Sequence, residues 1–91
     1  MPMHIKNSSD WNTFGSKLHA QFMSAPQKAK SDLAKMYARI NNLVTDLSKE
    51  EVELRRNKRE TSPRHQELLN KINEAVDEFE KWLMFAQLSL G

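Results

Sequence analysis

Arg59-Glu60-Thr61-Ser62-Pro63-Arg64 separates two stretches in which apolar residues recur at alternating intervals of four and three. Proline lacks an amide donor and suits the first position of a helix, and a serine before it suits the N-cap. The segment therefore reads as the end of one helix and the start of another. Upstream of it, Ala29, Leu33, Met36, Ile40, Leu43, Leu47 and Leu54 form a heptad seam with Tyr37 and Val44 beside it. Glu50 stands at the one seam position that lacks an apolar residue. Downstream, Leu68, Ile72, Ala75, Phe79, Trp82 and Ala86 resume the seam, and Leu69, Val76, Leu83 and Leu90 run beside it as a second row. Two long helices joined by a short turn lie antiparallel.

Ser24-Ala25-Pro26 is a second break of the same kind. Before it, Trp11, Phe14, Leu18 and Phe22 share one face of a short helix, which Gly15 weakens by about 1 kcal/mol relative to Ala, so docking must sustain it. Asn7-Ser8-Ser9-Asp10 suits a loop that ends in a cap at Ser9 or Asp10. The expected architecture is a flexible leader over residues 1–9 and a single helical domain over 10–91. Its helices are expected at about 10–24, 26–59 and 63–90. This is an all-α fold: a long, coiled-coil-like antiparallel hairpin with a short N-terminal helix, a three-helix arrangement expected to dimerise into a bundle.

The breaks also fix an expected register. Folding about residues 61 and 62 brings Leu54 to Leu69, Leu47 to Val76, Ile40 to Leu83 and Leu33 to Leu90. Folding at the first break brings Leu18 to Leu33 and Trp11 to Ile40. Both meet on residues 33 to 40, so the Trp11–Phe22 face is expected to cover the apolar end Trp82–Leu90, which is hydrophobic nearly all round. At the opposite end two helices cannot cover a stripe three rows wide. Val44, Leu47, Leu69, Val76 and Phe79 are expected to stay partly bare there as an interaction face, most simply covered by a second copy.

The 91 residues contain no cysteine, which removes disulfides, thiolate nucleophiles and cysteine-ligated metals, and two glycines cannot build a phosphate-binding loop. The histidines His4, His19 and His65 show no ligand spacing, and the carboxylates of Glu50, Glu51 and Glu53 and of Asp77, Glu78 and Glu80 mostly fall on a solvated, lysine-interleaved face. No catalytic residue, metal or cofactor is expected, and no enzyme. Net charge is +2, but residues 55–67 hold five basic residues against two acidic. Arg55, Arg56, Lys58, Arg59 and Arg64 thus make a basic hairpin tip, a candidate contact for an anionic partner such as nucleic acid. Without interleaved aromatics to stack bases, complementing the helix dipole is the favoured account of these charges. There is no secretory signal and no apolar run long enough to span a bilayer, so a cytoplasmic location is expected.

The function expected on these grounds is that of a small helical protein–protein interaction module, an adaptor, chaperone or assembly component, and a homodimer. A nucleic-acid-binding hairpin using the basic tip is the alternative. In outline, through Ser62-Pro63 and Leu68-Leu69 alone, the pattern resembles the small helical hairpins of bacterial secretion systems, the needle subunits and their chaperones.

Overall fold

The computed structural model describes residues 4–88. They form three helices, α1 (Ser8–Met23), α2 (Gln27–Arg56) and α3 (Pro63–Leu88), with no strand among the described residues. The expected continuation of α3 to residue 90 lies outside them. Pro26 is the N-cap of α2 rather than its first residue, and Asn7 caps α1, its Oδ1 accepting from the Asp10 amide at 2.9 Å. The cap lies two or three residues earlier than expected because Ser8 already takes helical geometry, held by a carboxylate from α2 described below.

The register of the hairpin differs from the expected one, and the turn explains why. α2 ends at Arg56, three residues early, because Lys58 adopts a left-handed conformation at φ 55°. The Lys58 amide donates to Arg55 O (3.2 Å) and the Arg59 amide to Leu54 O (2.8 Å), the pairing that closes a helix in a Schellman motif. Residues 59–62 then run back along α2. Ser62 Oγ donates to Glu50 Oε1 (2.9 Å) and accepts from the His65 amide (3.0 Å), so Ser62 is the N-cap of α3 as expected. The gap at Glu50 in the α2 seam is thereby accounted for: its carboxylate anchors the returning turn. The hairpin folds about Asn57 and Lys58, not about 61 and 62. The Tyr37 and Phe79 rings lie 6.2 Å apart, and Met36 and Arg39 face Ala75 and Glu78 across a small cleft. Each α2 residue thus meets α3 about two turns nearer its start than the expected register placed it.

The core follows the seams. Leu33, Ile40, Val44, Leu47 and Leu54 are buried on α2, and Leu68, Leu69, Ile72, Ala75, Val76, Phe79 and Leu83 on α3. Full burial of a side chain such as Phe79 or Ile40 contributes ~1.5–3 kcal/mol. α1 docks on α2 in the expected register: Trp11 Nε1 donates to Asn41 Oδ1 (3.2 Å), and Tyr37 Oη donates to Gly15 O (3.3 Å). Tyr37 is the centre of this contact, with the rings of Trp11, His19, Phe22 and Phe79 all within 6.2 Å of it.

Gly15 has a packing reason for its place in a helix. A Cβ there would lie 2.7 Å from Trp11 Cε2, so the glycine is the seat of the indole. Gly15→Ala should therefore destabilise the fold by ~1 kcal/mol, the overpacking cost outweighing the gain in helix propensity. Thermal unfolding checks this: a midpoint several degrees lower is expected, and a raised midpoint would contradict the seating of Trp11.

Candidate functional site

Residues 4–7, expected as part of a leader outside the fold, lie against α3. Ile5 is 1% exposed and belongs to the same core as Leu69, Ile72 and Phe79. What places it is Asn73, a polar residue buried on the apolar face of α3 at 4% exposure. Its Oδ1 accepts from the backbone amides of His4 (2.6 Å) and Ile5 (3.1 Å), and its Nδ2 donates to Ile5 O (3.2 Å) and Leu69 O (2.8 Å). All four hydrogen-bonding positions of the carboxamide are filled. The strap feeds directly into α1, whose first turn is fixed by Glu51: that carboxylate accepts from the Ser8 amide at 2.8 Å and from Ser8 Oγ. A carboxylate at a helix N-terminus meets unpaired amides and the positive end of the dipole. Glu51, read from sequence as part of a solvated face, is half-buried.

The strap also carries His4 to α3. Its Nε2 donates to Asp77 Oδ1 at 2.5 Å and lies 3.6 Å from Glu80 Oε1, while its ring packs 5.2 Å from that of Phe14. Asp77 and Glu80, one turn apart and expected with Glu78 on a solvated face, are both half-buried. A histidine from the far end of the chain joins them, which no local spacing could signal. His19 is exposed beside Phe22 and Tyr37, and His65 Nδ1 lies 3.1 Å from Thr61 Oγ1.

Val44, Leu47, Leu69, Val76 and Phe79, expected to be partly bare, are all buried. The physical cause is added cover: Ile5 joins these residues in one core cluster, and the first turn of α1 borders Val44. The apolar C-terminal end is corrected in the opposite sense. Trp11 and Phe22 of α1 gather on Tyr37, and Trp82 (49%), Met84 (60%), Phe85 (58%) and Leu88 (69%) are about half exposed or more. Trp82, Phe85 and Ala86 form one wall of a cleft of about 240 Å³ against Pro26, Lys28, Ala29, Asp32 and Leu33.

At the tip, Arg55, Arg56, Lys58, Arg59 and Arg64 are all exposed. Arg56 is paired with Glu53 at 3.1 Å, and Arg55 and Arg59 border a shallow hollow shared with Lys6, Glu51, Glu60 and His65. Beyond it, the Lys71 ammonium donates to Glu67 (2.9 Å) and, by that hydrogen bond and its charge, holds the Glu67 carboxyl below the usual range. Both are exposed, so the pair adds little to stability. Among the described residues, no helix is long and apolar enough to cross a membrane.

No family model, no curated protein and no solved structure matches the chain.

Asn73→Ala should cost ~2–3 kcal/mol, because it strips the strap's amides of their acceptor, and Ile5→Ala ~2–4 kcal/mol through the cavity it leaves. Since both act through the strap, the double variant should lose less than the sum in denaturant unfolding. Strict additivity would separate the two residues energetically and contradict the clamp.

Proposed function

We propose that the protein is a small non-enzymatic interaction module, an adaptor, chaperone or assembly component, that binds another protein chain through the apolar end of α3. The observation that carries this is the exposed row Trp82, Phe85 and Leu88, spaced three apart. Aromatic side chains of this kind dominate the energetics of interfaces, and small soluble domains rarely leave several together in water. The cleft beside them is smaller than the ~300–1,000 Å³ of typical small-molecule sites. Its size suits one or two apolar side chains of a partner helix.

A second copy of the chain is the partner this reading favours. Lys28 and Asp32 sit on one rim of the cleft with opposite charges, one turn apart. In a two-fold pair the lysine of each copy can meet the aspartate of the other, the self-complementarity that an isologous interface needs. The α2–α3 hairpin then serves as a coiled-coil-like arm, and the dimer forms at its apolar end rather than along its side. A cytoplasmic place of action belongs to the same proposal.

Light-scattering mass measurement tests it: a dimer is expected for the wild-type chain. Trp82→Ala together with Phe85→Lys should weaken association at least ~tenfold while leaving the helical circular dichroism intact, since each side chain is about half exposed and neither belongs to the buried core. A wild-type protein that remains monomeric at high concentration would end the homodimer reading.

The basic tip supports a second reading, a nucleic-acid-binding hairpin, because all five of its cations are exposed at one end of the molecule. That reading predicts binding to RNA or DNA that weakens steeply with salt and falls on combined Arg55→Glu, Arg56→Glu and Arg59→Glu substitution. Absence of binding by the wild-type chain at low salt would dispose of it.

A further inference from the structure

We infer that His4, Asp77 and Glu80 form a binding site for a first-row divalent metal ion of the zinc class, one that fastens the N-terminal strap to α3. The candidate ligand atoms, one imidazole nitrogen and two carboxylate oxygens, all lie within 4.8 Å of one another. Around a tetrahedral ion with bonds of ~2.0–2.1 Å, neighbouring ligand atoms stand ~3.3 Å apart. The separation of His4 Nε2 and Glu80 Oε1, 3.6 Å, is already close to that. His4 Nε2 and Asp77 Oδ1, at 2.5 Å, are joined by a hydrogen bond that must open by ~0.8 Å to admit the ion.

Donor chemistry selects the class of ion. Calcium and magnesium prefer sets made wholly of oxygen, whereas a mixed set of imidazole and carboxylates suits zinc and its first-row neighbours. Charge points the same way: among the described residues neither Asp77 nor Glu80 is paired with a lysine or arginine. Two carboxylates and a neutral imidazole carry −2, which a dication cancels.

The site is also built to hold its shape. Asp77 and Glu80 are fixed one turn apart on α3, and Asn73, on the preceding turn, grips the His4 backbone amide. Phe14 packs against the imidazole. Supports of this kind orient metal ligands and raise affinity. The side chains of His4, Asp77 and Glu80 are 16%, 33% and 41% exposed, which leaves the ion a solvent-facing position for water. On binding, the Nε2 hydrogen leaves, either to Nδ1 by tautomerisation of the neutral ring or to solvent from the imidazolium, and the nitrogen lone pair forms the new bond. Acid therefore weakens the site.

The test uses the full chain without an affinity tag, stripped of metal and titrated with Zn²⁺ by calorimetry and with Co²⁺ by visible absorption. One ion per chain is expected, with a Co²⁺ spectrum of low coordination number and a thermal midpoint raised by Zn²⁺. His4→Ala should abolish binding and the thermal shift; Asp77→Asn or Glu80→Gln should weaken binding at least ~tenfold, and His65→Ala should leave it unchanged. Because Glu80 is substantially exposed, Glu80→Gln remains informative even if a variant at His4 loosens the strap. No saturable binding, equal binding by wild type and both the His4 and Glu80 variants, or tighter binding of Ca²⁺ than of Zn²⁺ would each overturn the inference.

Discussion

The carboxamide of Asn73 is the constraint around which this structure is organised. A buried amide left without partners costs ~1–3 kcal/mol, and here the partners on offer are the backbone groups of two residues at the start of the chain. His4 and Ile5 together satisfy three of its four positions, Leu69 O the fourth. The strap runs along α3 on a path that meets those demands. That path puts Ile5 into the core, sets His4 over Asp77, and delivers Ser8 to Glu51, where α1 begins.

From that start the remaining arrangement follows. α1 runs antiparallel along α2, with Trp11 lodged on Gly15 and its hydroxyl-bearing neighbour Tyr37 collecting the aromatic rings. Of its aromatic rings, Trp11 and Phe22 pack on Tyr37 and Phe14 packs on His4. Trp82, Phe85 and Leu88 stay 49%, 58% and 69% exposed. With Ile5 in one core with Val44, Leu47 and Val76, the side of the hairpin is buried and the exposed large apolar side chains of α3 lie at its end.

Much of this was legible in the sequence, and the parts that were not share a cause. The three helices, the breaks at Pro26 and Pro63, the Ser62 cap and the docking register of α1 all come from local signals: proline, capping residues and apolar period. The hairpin register depended on a single residue, Lys58, entering the left-handed region where glycine is the usual signal; a lysine there gives no warning, and a displacement of two turns resulted. Ile5 and His4 sit in a stretch too short for periodicity, so neither their burial nor their pairing could be read from spacing. Asn73 was the one available clue. A carboxamide between Leu69 and Val76, on the face that should be apolar, requires buried partners, and the backbone of the strap supplies them.

Amide hydrogen exchange at His4 and Ile5 tests this most directly, since it reads the hydrogen bonds to Asn73 themselves. The Ile5 amide should exchange orders of magnitude more slowly than an unstructured chain, with protection approaching that of the Ile72 and Val76 amides in α3. Exchange of both strap amides at the unprotected rate, with α3 still protected, would show that the strap does not hold the core together.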